Sequence, residues 1–335
     1  MIKRLPKLRV SITEKCQLHC QFCGGPPEAM ENFQPDYLFG TSLEREQLLK
    51  VLRAYVATGG EYVQFTGGEP LLFRGIAKLV EQVRELGAVP EINSNGVTMR
   101  PALVRDLASA GLNVLKISLP SFTREGFAES TGLDRLPKVL DNMRMAQEFL
   151  KIRVNTVAVR SKIDEIPLAI ETCRSFGIPE ILFLELLYYY DRDQSASREY
   201  FFSEYVDPKE VQAIVAANLG GEFSTFGFFE EYGAAIESCT SPRDGFTAYT
   251  KSAATSLRLP ECDGCPFYCQ EGLYQLRLST GGYLSFCNVP NMNGHETRDM
   301  SGSEVENIFT GYLKRFGSES FAIRSEDFFA RIQTS

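Results

Sequence analysis

The stretch Leu8-Arg-Val-Ser-Ile-Thr-Glu-Lys-Cys16-Gln-Leu-His-Cys20-Gln-Phe-Cys23 decides how this chain is read. Residues 8–12 predict a short strand that runs straight into a loop carrying three thiols. The spacing C-x3-C-x2-C is too tight for a disulfide framework and one thiolate short of a closed tetrahedral zinc site. It suits an iron–sulfur cluster held by three thiolates, which leaves one iron open to bind something else. Three unrelated thiols, or a zinc site completed by His19 from inside the loop, are the competing readings.

Outward from that loop, strands and helices alternate. Strands are expected over 62–65, 89–93, 114–119, 152–159 and 181–187. Helices are expected over 42–57 with Ser42 as N-cap, 73–86 closed by Gly87, 102–110 closed by Gly111, 137–149, and 165–176. Six such alternations predict an α/β fold, a partial (β/α)6 TIM-like barrel with a parallel sheet. Chemistry in these barrels gathers at the carboxyl ends of the strands. Thr66-Gly-Gly-Glu-Pro70, Asn93-Ser-Asn-Gly96 and Ser118 all fall there.

From 188 to 244 the pattern is weakly periodic and rich in aromatics and acids. Cys262, Cys265 and Cys269 then cluster, and Cys287 follows a hairpin expected over 276–286. Four thiolates can close a second [4Fe–4S] cluster, although a structural zinc ribbon uses a similar pattern. The tail is expected to be helical or flexible. The division that follows is a barrel over 1–187, a pocket-forming segment over 188–255, and a C-terminal auxiliary iron–sulfur cluster domain over 256–335.

With 335 residues and 44% hydrophobic content the chain can bury a sizeable core. No apolar run reaches the ~20 residues of a membrane helix, and the N-terminus lacks a signal-peptide core, so a cytoplasmic protein is expected. Nine cysteines in a reducing compartment argue for metal or redox work. A net charge of −8 argues against nucleic acid as a partner.

Several segments carry a family resemblance: the opening Leu8–Cys16 stretch, Phe65-Thr-Gly-Gly-Glu-Pro-Leu-Leu72, Ile92-Asn-Ser-Asn-Gly96, Lys116-Ile-Ser-Leu119, Val154-Asn-Thr-Val-Ala-Val-Arg160 and Leu276-Arg-Leu-Ser-Thr-Gly-Gly-Tyr-Leu-Ser-Phe-Cys287. In this order they resemble the radical S-adenosylmethionine (SAM) enzymes, and more narrowly the GTP 3′,8-cyclases of molybdenum cofactor biosynthesis. The resemblance implies that Cys16, Cys20 and Cys23 hold a [4Fe–4S] cluster whose open iron chelates SAM. Splitting SAM would give a 5′-deoxyadenosyl radical that abstracts hydrogen from a C–H bond. Phe22 would pack on the adenine, and Gly67, Gly68 and Glu69 would approach the methionyl amine. Asn95, Ser118 and Asn155 would hydrogen-bond the ribose or carboxylate. A flavodoxin or ferredoxin is the expected electron donor. Two features depart from the cyclases: Pro120 stands where they usually carry an acid, and the chain ends Arg331-Ile-Gln-Thr-Ser335 without their Gly-Gly tail.

Charge patterning shapes the substrate expectation. Residues 161–287 hold nine basic and nineteen acidic side chains, a poor composition for holding a triphosphate. Glu185, Tyr188, Glu230 and Glu231 are expected to line a pocket for a cationic, aminosugar-type ligand such as an aminoglycoside. Cys173 reads as a core residue within a helix. Cys239, in the polar stretch Glu237-Ser-Cys-Thr-Ser241, reads as a loop thiol able to return a hydrogen atom to a substrate radical. The leading expectation is therefore epimerisation or dehydrogenation in natural-product biosynthesis. Ribosomal peptide modification and GTP cyclisation stand as alternatives, although no leader-binding segment is evident before Leu8. Outside enzymes, an iron–sulfur electron carrier or a zinc-bound scaffold would share the same cysteines.

Overall fold

The computed structural model of the chain describes residues 4–23, 43–188, 194–226, 236–251, 257–263, 265, 273, 275–287 and 294–322. Six parallel strands lie side by side in chain order: β1 (Lys7–Ser11), β2 (Tyr62–Thr66), β3 (Val89–Ser94), β4 (Val114–Ser118), β5 (Ile152–Val157) and β6 (Glu180–Leu184). Between them run α1 (Arg45–Ala57), α2 (Ile76–Glu85), α3 (Pro101–Ala110), α4 (Arg124–Thr131) with α5 (Leu136–Gln147), and α6 (Ile166–Ser175). Parallel strands need such crossovers, and the helices cover one face of the sheet. Leu8, Val10, Val63, Phe65, Ile92, Leu115, Ile117, Val154 and Ile181 point to that covered face and are fully buried. Each such side chain contributes on the order of 1.5–3 kcal/mol of burial. The sheet is curled but not closed, as a partial barrel.

The helix boundaries show local chemistry overriding periodicity. The expected cap Ser42 lies outside the described residues; Glu44 caps α1, its N–H donating to the Gln47 side chain at 2.9 Å. Helix α2 starts at Ile76, not at 73, because Pro70–Leu72 forms a 3₁₀ turn and Gly75 adopts φ 88° before the helix begins. Helix α4, which periodicity does not announce, is capped by Thr123, whose Oγ1 accepts from the Gly126 N–H at 3.1 Å.

The described parts of the weakly periodic segment hold α7 (Gln194–Glu204), α8 (Pro208–Leu219), β7 (Phe223–Phe226) and β8 (Ile236–Thr240), and β9 (Thr247–Lys251) comes just after it. Strand β9 pairs in parallel with β6, and β8 and β7 follow antiparallel, so this segment extends the barrel sheet itself. At the opposite edge β11 (Gln275–Leu278), which follows the short β10 (Leu257–Arg258), pairs in parallel with β1. Strand β12 (Tyr283–Ser285) completes the expected hairpin, and β13 (Gly294–Glu296) follows. The expected boundaries near 187 and 256 therefore do not break the sheet, which runs through twelve strands among the described residues.

The tail contains α9 (Gly302–Glu319), opened by a Ser301/Glu304 capping box, and β14 (Phe321–Ala322) on β10. Helix α9 packs on α1, where the Tyr55 and Phe309 rings meet edge-on at 5.5 Å. Lys50 of α1 donates to the carbonyls of Thr297 and Arg298 at 3.0 Å, and to that of Met300. No described helix is long and apolar enough to cross a membrane.

Candidate active site

The three thiols sit on the loop after β1, at the carboxyl ends of the strands. Two neighbours shape that loop. From one side the β2 end closes on it: Gly68 and Glu69 donate their N–H groups to the carbonyls of Thr13 and Lys15, both at 2.7 Å. This approach requires the glycine pair. A Cβ on Gly67, which has φ 129°, would lie 2.2 Å from the Thr13 oxygen, and one on Gly68 would lie 2.3 Å from that of Lys15. From the other side the end of α4 takes the loop amides: His19 N–H donates to Thr131 at 3.0 Å and Gln21 N–H to Ser130 at 3.1 Å. Helix C-termini leave such carbonyls without helical partners, and here the cysteine loop supplies the donors.

Glu69 is fully buried, and its carboxylate accepts from Leu71 N–H (2.9 Å), Ser94 Oγ (2.8 Å) and Asn95 N–H (2.7 Å). Burial raises its pKa, and these three donors oppose the rise. Its carboxylate thus ties the β2 end to the β3 end. Asn95 accepts from Gln17 Nε2 at 2.8 Å and from Val97 N–H at 3.0 Å, and its Nδ2 donates to Cys16 Sγ at 3.6 Å. Burial raises the Cys16 thiol, helped by the charges of Glu69 and Cys23, while donors from Leu18 N–H and Asn95 pull it down. Cys16 and Cys20 are half-buried and Cys23 is exposed. Phe22 packs against a cluster of Val159, Leu186, Tyr188 and Phe201, which forms one wall of the barrel mouth.

Among the described residues no three His, Cys, Asp or Glu side chains converge as a ready-made metal site. The fit to a cluster and its ligand rests instead on donor chemistry. Three thiols share one loop, and buried polar atoms stand without partners near it. Asn155 Oδ1 and Gln17 Oε1 are such atoms. Asn155 lies in register with Ser118 across β4 and β5, so an acceptor and a hydroxyl share one face at the strand ends. A polar ligand carrying hydroxyl and amine donors satisfies them, and SAM is of that kind.

The C-terminal thiols repeat the local geometry. Cys265 N–H donates to Cys262 O at 3.2 Å, as Cys23 N–H does to Cys20 O at 3.1 Å, so each C-x2-C pair closes in one tight turn. Arg315 of α9 pairs with Glu261 beside Cys262 and anchors that turn. Cys287 follows β12. Cys269 lies outside the described residues, as do Glu230 and Glu231.

One expectation needs correction. Cys239 is not in an irregular loop: it lies on β8, 0% exposed within the hydrophobic core, and burial raises its thiol. It pairs with Ala248, three residues before the end of β9 at Lys251, hence about 10 Å below the strand ends at ~3.3 Å per residue. Its polar neighbours misled because Glu237 shares the helix-covered face of β8 with the thiol, where it is only half-buried and accepts from Gln212 of α8 at 2.7 Å, while Cys239 sits deeper in the core. Glu185 is buried, accepts from Tyr205 OH at 2.8 Å, and lines a crevice of about 210 Å³ on the helix side of β6 and β9 with Lys251. Tyr188 is buried against Phe201, ring to ring at 5.5 Å. Cys173, as expected, is a core residue, its thiol pushed up to about 12 by burial.

Sequence reasoning missed the inside of the barrel. The inward faces of β1–β6 and β11 carry Lys7, Arg9, Lys116, Arg153 and Arg277 against Glu91 and Glu180. Glu91 pairs with Lys7 and, at 2.7 Å, with Lys116; Gln64 donates to Asn93 at 3.0 Å; Arg153 pairs with Glu180 at 2.7 Å. Burial works to raise the Glu91 carboxyl, but the ammonium groups of Lys116 and Lys7 outweigh it and hold it low. Arg9 and Arg277 stand side by side in the β1–β11 register. The signal was present in the sequence: alternation of polar and apolar residues in Lys7–Ser11 and Val114–Ser118, where a parallel strand covered on both faces is ordinarily apolar throughout.

A thiol-bearing loop at the mouth of a parallel half-barrel, seated by a Gly-Gly-Glu turn, defines an iron–sulfur enzyme built to hold a small cofactor at its strand ends. The comparisons agree. The profile of the Radical SAM superfamily matches residues 10–181, and the chain belongs to that superfamily. Its relatives include GTP 3′,8-cyclase of Geobacter sulfurreducens, 33% identical over 166 residues, covering 48% of this chain and 49% of that protein. Another is a probable GTP 3′,8-cyclase of Saccharolobus islandicus, 24% identical over 328 residues, covering 97% and 96%. Across the first of these the chain matches about half the relative's length. Similar solved structures include Streptococcus suis SuiB bound to S-adenosylmethionine (TM-score 0.61, 15% identity, 93% of this chain and 68% of that one) and anSMEcpe with bound AdoMet (TM-score 0.60, 14% identity, 89% and 76%).

The chain is thus a radical SAM enzyme, with SAM and [4Fe–4S] clusters as its cofactors. When bound, the loop cluster and SAM together supply a radical able to take hydrogen from an unactivated C–H bond. Cys16, Cys20 and Cys23 would hold that cluster. Ser118 and Asn155 share one face at the strand ends, and Phe22 packs on the wall formed by Val159, Leu186, Tyr188 and Phe201.

Proposed function

We propose that this enzyme abstracts hydrogen from an anion-bearing small molecule of the nucleotide class, seated inside the barrel below SAM. One observation carries the reading: the barrel interior places five cationic side chains against two carboxylates, with Arg9 and Arg277 adjacent across β1 and β11. Guanidinium groups match phosphate geometry, and two of them lie in register on adjacent strands. The names of the cyclase relatives point to the same class of ligand. Counting charges along 161–287 pointed the other way because the cations that meet in the interior come from residues 7 to 277. The aminosugar expectation has less to rest on, with Glu230 and Glu231 outside the described residues. Glu185 accepts from Tyr205, and Cys173 and Cys239, the cysteines outside the expected ligand sets, both lie in the core, so neither sits at the described mouth. Cys262, Cys265, Cys269 and Cys287 would hold the auxiliary cluster, beside the edge of the barrel that carries Arg277.

Anaerobic reconstitution with iron and sulfide, followed by dithionite and SAM, tests this. Nucleoside phosphates, with GTP among them, should raise 5′-deoxyadenosine formation above the substrate-free level, and Arg9→Ala or Arg277→Ala should remove that stimulation. Stimulation by aminosugars or short peptides, with nucleotides silent, would overturn the reading.

A further inference from the structure

The polar contacts around the cysteine loop are unevenly shared, and one of them reaches a ligand sulfur from outside the loop. The backbone donors of His19 and Gln21 go to α4, and that of Cys23 goes to Cys20. Asn95, on the β3 end, aims its amide at Cys16 Sγ at 3.6 Å, an ordinary reach for a donor to the larger sulfur atom. Its orientation is settled by its neighbours. Oδ1 takes both Gln17 Nε2 and Val97 N–H, which only the oxygen of an amide can do, so the NH₂ group must face the sulfur. Glu69 fixes the backbone of the same residue through the Asn95 N–H at 2.7 Å.

We infer that Asn95 is a positioning residue for the N-terminal cluster and raises its midpoint potential through Cys16. A hydrogen bond to a ligand sulfur favours the reduced, more negative cluster, and such bonds are among the levers that set iron–sulfur potentials. Gln17 acts one step behind, by holding the amide in its donating orientation. The reduction itself takes one electron from an external donor, dithionite in the test, and forms or breaks no covalent bond.

The test is potentiometric titration of the reconstituted holoenzyme, followed by EPR of the cluster whose signal responds to SAM. Asn95→Ala should shift the midpoint to more negative values, and Gln17→Leu should shift it the same way by less. Asn142→Ala is the structural control. Asn142 donates to the carbonyls of Gly96 (2.8 Å) and Val97 (3.1 Å), so its loss loosens the same loop while leaving the Asn95 amide in place. Its midpoint should stay where the parent's is. An unshifted midpoint in Asn95→Ala, or an equal shift in Asn142→Ala, overturns the inference. If Asn95→Ala fails to retain iron, Gln17→Leu decides alone, and a midpoint equal to the parent's rejects the role.

Discussion

At the scale of single residues the site is set by close approach and burial. Gly68 is the clearest case, because an added methyl would meet the Lys15 carbonyl at 2.3 Å, and backbone cannot give way as a side chain can. Gly68→Ala should therefore destabilise the fold by about 1–3 kcal/mol and reduce the iron retained per chain. Gly302→Ala, where nothing lies within 4 Å, serves as the matched control. Equal melting temperatures and iron contents for the two variants would show that the glycine turn does not seat the loop. The cysteines divide by the same logic. Cys173 is pushed up to about 12 by burial, which leaves roughly one thiolate in 10⁴ at pH 8, and Cys239 is raised for the same reason. Iodoacetamide at that pH should alkylate the exposed Cys23 first in the native cluster-free protein, the half-buried Cys16 and Cys20 more slowly, and spare Cys173 and Cys239. Early labelling of Cys239 in mass spectra would return that thiol to consideration as a hydrogen donor.

At the scale of elements, the strand–helix alternation was legible because parallel strands and their crossovers leave strong apolar periodicity. Strands β2 to β6 fall within three residues of their expected limits. Helix α4 was not legible: its eight residues Arg124–Thr131 bury few large apolar side chains, Phe127 chief among them, and most of its support comes from polar contacts. Those contacts come from Glu165, in the 3₁₀ turn before α6. Its carboxylate accepts from Ser121 Oγ (2.8 Å), Phe122 N–H (2.7 Å) and Thr123 Oγ1 (3.2 Å), at the start of α4. No local pattern links a residue at 165 with a helix at 124, and none links that helix with the cysteine loop. The structure joins all three, so Glu165 should brace the loop through α4. Hydrogen bonds to a charged acceptor are worth roughly 1.5–3 kcal/mol. Glu165→Ala should accordingly speed amide exchange at His19 and Gln21 by about tenfold or more, measured by hydrogen–deuterium exchange. Faster exchange along α4 with unchanged His19 and Gln21 amides would disconnect the brace from the loop.

At the scale of the molecule, the barrel is held together twice, by apolar packing under the helices and by ion pairs inside. Only the first was read from the sequence, since Lys7, Glu91 and Lys116 are charges on separate strands that look like ordinary surface positions until the sheet curls. Glu91 is the pivot, and its removal has a definite pH signature. Glu91→Gln leaves Lys7 and Lys116 buried without their carboxylate, a loss of about 3–5 kcal/mol for a broken buried pair. Lys116 is already held below its ordinary value by burial and by the Lys7 charge, against the pull of Glu91. Without Glu91 it falls further in the folded state, while the unfolded chain keeps the ordinary lysine value of about 10.4. Between those two values the unfolded chain binds more protons than the folded one, so stability rises with pH across that window. Parent and variant share that rise above the parent's own depressed Lys116 value, so the gap in melting temperature between Glu91→Gln and the parent should be widest on the acid side of neutrality, narrow as pH rises to neutrality, and stay flat from there to about pH 10. A gap that stays constant from pH 5 to 8 would mean that Glu91 does not hold the Lys116 proton in the fold, and that the barrel offers an anionic substrate fewer cations than its side chains imply.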